Sequence, residues 1–174
     1  MDNQLIEILR TGGVAVIPTD TIYGIVGSAL KPETVEKIYK LKKRSKNKPF
    51  ITLISGLGDL EKFNIFLTQK QKDFLERHWP NPISIVLSGQ AFRMPNDQNL
   101  LKILQQTGSL VAPSANFEGE KPSETIAEAK GYFGESVSFY IDKGEIKSKP
   151  STIIKLNSDG TVITVREGSY KIVT

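Results

Sequence analysis

The segment PETVEKIYKLKKRSKNKPFITLI, residues 32–54, decides the fold class. Its first part reads as a helix: Pro32 at the start, Glu33 in the first turn, then Val35, Ile38 and Leu41 along one side. Its last five residues, Phe50-Ile51-Thr52-Leu53-Ile54, are nearly all apolar, the pattern of a buried strand. A helix leading into a buried strand is the recurring unit of α/β proteins. Between the two lies Lys42-Lys43-Arg44-Ser45-Lys46-Asn47-Lys48-Pro49. If the helix ends near Leu41 and the chain then runs extended, Lys42, Arg44, Lys46 and Lys48 line one face. Four cations at a strand mouth suit a polyphosphate or a nucleic-acid backbone. A solvated lysine-rich loop is the plainer reading, and the helix dipole alone favours lysines at this end.

The flanking sequence repeats the alternation. Upstream, Asp2 can cap a helix carrying Leu5, Ile6 and Leu9, which Gly12-Gly13 ends. The strand Val14–Ile17 then breaks into Pro18-Thr19-Asp20-Thr21-Ile22-Tyr23-Gly24. Such a polar exit from an apolar strand is where α/β folds build ligand sites, though Thr19, Asp20 and Thr21 can equally form a turn that satisfies its own backbone. Downstream, Thr68 caps a helix ending near His78, and Trp79-Pro80-Asn81-Pro82 forms a stiff connector. Strands follow at 83–87 and 91–95. Asn96 or Asp97 caps the next helix, closed by Gly108. The strand 110–112 exits into Pro113-Ser114-Ala115-Asn116. Ser123 reads as the cap of a helix running toward Gly131, and a free hydroxyl there can also meet an anion. A strand at 137–141 precedes a hairpin, 151–156 and 161–166, around Asn157-Ser158-Asp159-Gly160. About seven strands and five or six helices in mixed order predict an α/β domain with a partly parallel, partly antiparallel sheet, spanning 1–174 as one unit.

Composition narrows the chemistry. The 174 residues carry a net charge of +4, with 39% hydrophobic and 24% charged residues, ordinary for a globular domain. There is no cysteine, so disulfides and thiolate metal sites are excluded. One histidine, His78, makes a histidine metal cluster or a Ser-His-Asp triad improbable, and its place at a helix end gives it a structural reading. No leader-like or membrane-spanning apolar run is present, which predicts a cytoplasmic protein. Neither a Gly-x-x-x-x-Gly-Lys-[Ser/Thr] loop nor a Gly-x-Gly-x-x-Gly fingerprint occurs.

Six short motifs, in order and over Pro18 to about Gly168, together resemble the YrdC/TsaC family of threonylcarbamoyl-AMP synthases. They are Pro18-Thr-Asp-Thr-Ile-Tyr-Gly24, Lys42-Lys43-Arg44, Trp79-Pro80-Asn81-Pro82, Ser114-Ala115-Asn116, Ser151-Thr152 and Arg166. The resemblance implies a YrdC-like twisted sheet with a basic concave site. It also implies condensation of L-threonine, bicarbonate and ATP to threonylcarbamoyl-AMP and pyrophosphate. That product would serve tRNA threonylcarbamoyl-transfer proteins that modify the adenosine next to the anticodon.

The resemblance also assigns roles. Lys42 and Arg44 are implied as catalytic. Arg44, Lys48, Ser114, Asn116, Ser123 and Arg166 are implied to bind ATP. Thr21, Arg93 and Ser151 are implied to hold threonine. Mg²⁺ would be held mainly by the ATP phosphates, with no protein metal site. The chain departs from the family at Lys43-Arg44-Ser45, where Gly-Arg-Pro is common, and at Leu53, Glu118 and Glu167. Ending soon after Arg166, it is expected to lack the extra domain of longer relatives. A non-catalytic module for double-stranded RNA or tRNA is the alternative from another class, and weak RNA binding is compatible with either reading. The lack of an aromatic stacking platform argues against the module.

Overall fold

The computed structural model describes residues 3–172, so the capping role read for Asp2 lies outside it. Five α-helices are described: α1 (Asn3–Arg10), α2 (Pro32–Leu41), α3 (Gln69–His78), α4 (Gln98–Thr107) and α5 (Ile126–Phe133). The strands are β1 (Ala15–Pro18), β2 (Tyr23–Ser28), β3 (Ile51–Leu53), β4 (Ile83–Leu87), β5 (Gln90–Arg93), β6 (Leu110–Val111), β7 (Phe139–Tyr140), β8 (Thr152–Leu156) and β9 (Val162–Arg166). They form one sheet in the order β7-β1-β2-β6-β3-β5-β4-β8-β9. The pairs β1–β7, β3–β5 and β4–β8 are parallel and the others antiparallel, so the sheet is mixed as expected.

Burial follows the strand periodicity. Val14 and Val16 face one core with Ile38 of α2 and Phe133 of α5. Ala15 and Ile17 face the other, with Leu5 and Leu9 of α1 and Leu100 and Leu104 of α4. Covering on both faces is why this strand reads as unbroken apolar sequence. A third core packs α3 and Trp79 on Ile83, Ile85 and Ile154. Each fully buried Leu or Ile contributes about 1.5–3 kcal/mol. Caps fix the helix starts. Thr68 and Gln71 form a reciprocal capping box on α3, and Asp97 Oδ1 accepts from the Asn99 and Leu100 amides. His78 closes α3, stacked near Phe74 and bonded to the Tyr170 hydroxyl at 3.1 Å, a structural role as read. Among the described residues no helix is long and apolar enough to cross a membrane.

Three expectations fail. Strand β2 has no counterpart in the sequence reading, although it is buried throughout. Its glycines hide it, and packing requires one of them: a Cβ on Gly27 would lie 2.5 Å from Thr34 Cγ2 and 3.1 Å from Ile38 Cδ1, so α2 rests directly on the strand backbone. Ser123 is not a helix cap. Helix α5 starts at Ile126, and Thr125 accepts from the Glu128 amide instead.

The cationic loop is not extended either. Helix α2 closes in a Schellman motif, with Lys43 N–H on Lys40 O and Arg44 N–H on Tyr39 O. Lys43 takes the left-handed position at φ 53°, where a glycine carries no Cβ penalty. The turn scatters the cations. Lys42 points inward at 1% exposure, Lys43 lies over the Phe117 ring, Lys46 pairs with Glu36 at 2.6 Å, and Lys48 pairs with Glu118 at 2.6 Å.

Candidate active site

Strand exits converge on one cavity of about 300 Å³. The β1–β2 loop supplies Thr21, the β5 end Arg93, the β6 exit Ser114, the β8 entrance Ser151, the β9 end Arg166, and the loop after α2 Arg44. Ile22, Phe50, Ile51, Val86, Ala91 and Ile153 give it apolar walls. Sheet register explains the clustering. Ile51, Ala91 and Val86 are successive cross-strand partners on β3, β5 and β4, so they share one face. In the neighbouring row Ser84 pairs with Ile153 and Ile153 with Arg166. Arg93 enters that row beside Ser84, because Ile85 opposes Phe92.

The loop 18–24 resolves its two readings by being both. Thr19 Oγ1 donates to Ile22 O at 2.7 Å and accepts from the Thr21 amide, so Thr19 organises the turn. Thr21 also lines the cavity, with its hydroxyl 3.1 Å from that of Thr19. Ser114 is placed by pairing with β2: Ile25 N–H bonds Pro113 O and Ala115 N–H bonds Tyr23 O, both at 2.9 Å. Ser151 Oγ bonds Ser84 Oγ at 2.8 Å, and Arg166 Nη2 donates to Ser151 O at 2.8 Å. Arg44 Nε donates to Lys48 O at 3.0 Å, which folds the guanidinium toward the cavity rim.

Four of the expected ligand residues do not line the cavity. Lys42 lies beneath it, and its Nζ donates to Ser114 O, to Asn116 O at 2.7 Å and to Asn116 Oδ1 at 3.2 Å. Burial, aided by the nearby Arg44 charge, pushes its pKa down to about 7. Three oxygen acceptors act the other way, one for each ammonium proton. Asn116 is consumed internally: Oδ1 also accepts from Ser114 Oγ, and Nδ2 donates to Phe117 O and Glu120 O. Ser123 is 1% exposed and donates to Ala115 O. Lys48 sits outside on Glu118, whose second oxygen accepts the Ser45 amide at 3.1 Å. Glu118 therefore straps the cationic loop to the segment after β6. Lys48 and the Ser45 amide hold its carboxyl below the usual range.

Some supports had no local signal in the sequence. Tyr23 is fully buried, and its hydroxyl accepts the Lys143 amide and donates to Gly144 O, both at 2.8 Å, more than a hundred residues away. Asp20, given no role of its own within the 18–24 motif, pairs with Arg93 at 3.1 Å. Gly168 is the third. A Cβ there would lie 2.3 Å from Pro150 O and 2.5 Å from Thr152 N, both backbone atoms flanking Ser151. Gly168→Ala is expected to push β8 away from Arg166 and cost about 1–3 kcal/mol, the range for overpacking a tight site. Urea unfolding measures this, and an unchanged midpoint would mean the strand shifts freely.

Electrostatically the cavity is one-sided. Among the described residues three arginines line it and no carboxylate does, Asp20 pairing with Arg93 without lining the cavity. Burial pushes both Arg93 and Arg166 down from their ordinary values, and each stays a cation at neutral pH. Among the described residues no cluster of three or more His, Asp or Glu side chains is set to hold a metal. Arginines, hydroxyls and apolar walls can together hold a phosphate chain, a small carboxylate and a flat apolar group.

Comparison with known proteins gives a consistent picture. The Sua5/YciO/YrdC family model, described as "Telomere recombination", matches residues 7–168. A Methanocaldococcus jannaschii protein, provisionally named a threonylcarbamoyl-AMP synthase, is 32% identical over 95% of this chain and 84% of its own length. A threonylcarbamoyl-AMP synthase of Bacillus subtilis is 32% identical over 72% of this chain but only 40% of its own length. The crystal structure of Pyrococcus abyssi Sua5 complexed with L-threonine superposes with a TM-score of 0.82 at 26% identity, covering 95% of this chain and 53% of that one. The chain thus spans most of the first relative and about half or less of the two longer ones.

Proposed function

The chain belongs to the Sua5/YciO/YrdC family, and from that premise we propose that it condenses L-threonine, bicarbonate and MgATP to threonylcarbamoyl-AMP, releasing pyrophosphate and water. One observation carries the reading: Arg44, Arg93 and Arg166 converge with the hydroxyls of Thr21, Ser114 and Ser151 on one cavity that, among the described residues, no carboxylate lines. Each of the three reactants presents anionic oxygens, two of them as net anions, and a carboxylate-lined site would repel those groups.

In this reading Arg44 and Arg166 grip the phosphates, and Ser114 meets the nucleotide. Thr21, Ser151 and Arg93 hold threonine. The amine of threonine attacks the carbon of bicarbonate or of CO₂ derived from it, forming a carbamate. A carbamate oxygen then attacks the α-phosphorus, and the bond to the β,γ-phosphate breaks to release pyrophosphate. No side chain forms a covalent intermediate. Rate comes from holding the reactants in line and from arginines set where charge develops on the leaving group. The magnesium enters with ATP as substrate, since among the described residues the cavity lining offers it no carboxylate. Lys42 and Asn116 act from beneath, fixing the Ser114 segment, and Ser123 does the same through Ala115 O. Lys48 reaches the phosphates only by leaving Glu118.

The product is a mixed anhydride of a carbamate and a phosphate, hence a reactive donor. Proteins that transfer its threonylcarbamoyl group to tRNA are its natural consumers. Pyrophosphate release tests the reading. It should require MgATP, L-threonine and bicarbonate together and fall to background when any is omitted. Release from ATP alone would contradict the proposal. Salt-sensitive RNA binding by a chain without turnover would favour the binding module.

A further inference from the structure

Asp20 has no part in the chemistry described above, yet its carboxylate is one of the least exposed charges in the molecule. Its side chain is 3% exposed and that of Arg93 5%, with Oδ1 3.1 Å from Arg93 Nη2. The other oxygen, Oδ2, accepts the Asn96 amide at 3.2 Å, so the carboxylate is anchored to the chain just after β5. Arg93 lines the cavity, its Nε and Asp20 Oδ1 are both buried without a hydrogen-bond partner, and the 3.1 Å contact is an ion pair and not an aligned hydrogen bond. A guanidinium carries five N–H donors, and among the described residues Arg93 has no aligned acceptor for them, so it keeps donors for an acceptor that a ligand brings to the cavity.

The three arginines therefore differ in kind. Among the described residues Arg44 and Arg166 donate only to backbone carbonyls, Lys48 O and Pro49 O for one and Ser151 O for the other, and neither makes an ion pair at contact distance. Arg93 faces an opposite charge at contact distance. The Asp20–Arg93 pair is close to neutral overall, and the guanidinium sits beside a fixed carboxylate with unused donors. Such a group recognises one oxygen of a monoanion by direction. It gives little net attraction to a multiply charged pyrophosphate.

We propose that Asp20 is a positioning residue that divides the cavity into a carboxylate end at Arg93 and a phosphate end at Arg44 and Arg166. This rests on the proposed synthase reading of the cavity. By cancelling one of three positive charges, Asp20 also keeps the site from holding pyrophosphate too tightly, which favours release of the product.

Calorimetric titration of the full chain with L-threonine and, separately, with pyrophosphate tests this on the wild type, Asp20→Asn and Asp20→Glu. Asp20→Asn keeps the side-chain shape and removes the charge. It should weaken threonine binding about tenfold or more while tightening pyrophosphate binding several-fold, the direction expected for one added net charge. Asp20→Glu restores the charge and should return pyrophosphate affinity toward the wild-type value. A purely structural role would weaken both ligands together, and that result, or no change in either, would overturn the proposal. Failure of the synthase reading shows differently: the wild type itself would give no threonine-dependent turnover, whatever Asp20→Asn does to the two affinities.

Discussion

Arg44→Ala is expected to lower kcat/KM for threonylcarbamoyl-AMP formation by about 10²–10³-fold, the cost of deleting one donor set at developing charge. The fold should survive. Arg44 is half-buried at the cavity rim, and its hydrogen bonds go to Lys48 O and Pro49 O of its own exposed loop. Both carbonyls can turn to water, so the truncation orphans no buried group. Its guanidinium lies 5.4 Å from the Phe50 ring, a contact worth about 0.5–1 kcal/mol at such a site. Steady-state kinetics beside thermal unfolding separates the effects. A variant that stays folded and keeps its turnover would show that Arg44 does not hold the phosphates.

Lys42→Met should do the reverse, acting first on stability. The methionine matches the length of the lysine stem but donates nothing. Ser114 O, Asn116 O and Asn116 Oδ1 would each lose the ammonium in a site 1% exposed. Leaving buried carbonyl acceptors unsatisfied costs about 1–3 kcal/mol, a large share of the ~5–15 kcal/mol that holds a domain together. Relief of the buried ammonium, whose desolvation drives its pKa to about 7, offsets part of this and keeps the net loss within that range. Ser114 would shift with the loss of its anchor, so activity should fall together with stability. Urea unfolding measures the first and turnover on the folded fraction the second. Unchanged stability with abolished turnover would mean that Lys42 acts directly on substrate.

The contrast between these two residues shows what the sequence can and cannot carry. Both stand in Lys42-Lys43-Arg44, and charge patterning treats them alike. The left-handed turn at Lys43 sends one into the protein and the other to the cavity. A two-residue period predicts a shared face only in an extended chain, and the Schellman closure removes that premise. Thr21, Arg93, Ser114, Ser151 and Arg166, which the resemblance singles out, all line the cavity, and they sit at strand ends, where the flanking strands and turns are legible. Asp97, Thr68 and the hairpin at 157–160 are legible for the same reason: local chemistry sets them.

What is not legible depends on contacts distant in sequence. Gly27 weakens β2 as a strand signal because a helix must touch its backbone. Tyr23 works on Lys143 and Gly144, Asp20 on Arg93 and Asn96, and Gly168 on Pro150 and Thr152. Glu118 reads as a departure from the family pattern, yet it straps the loop through Lys48 and Ser45. No local period encodes such pairs.

Mass spectrometry of a reaction containing MgATP, L-threonine and bicarbonate labelled with heavy carbon tests the central claim most directly. The account predicts a threonylcarbamoyl-AMP ion that carries the label from bicarbonate and vanishes when threonine is withheld. Folded protein that yields AMP or ADP without the labelled adduct would contradict it.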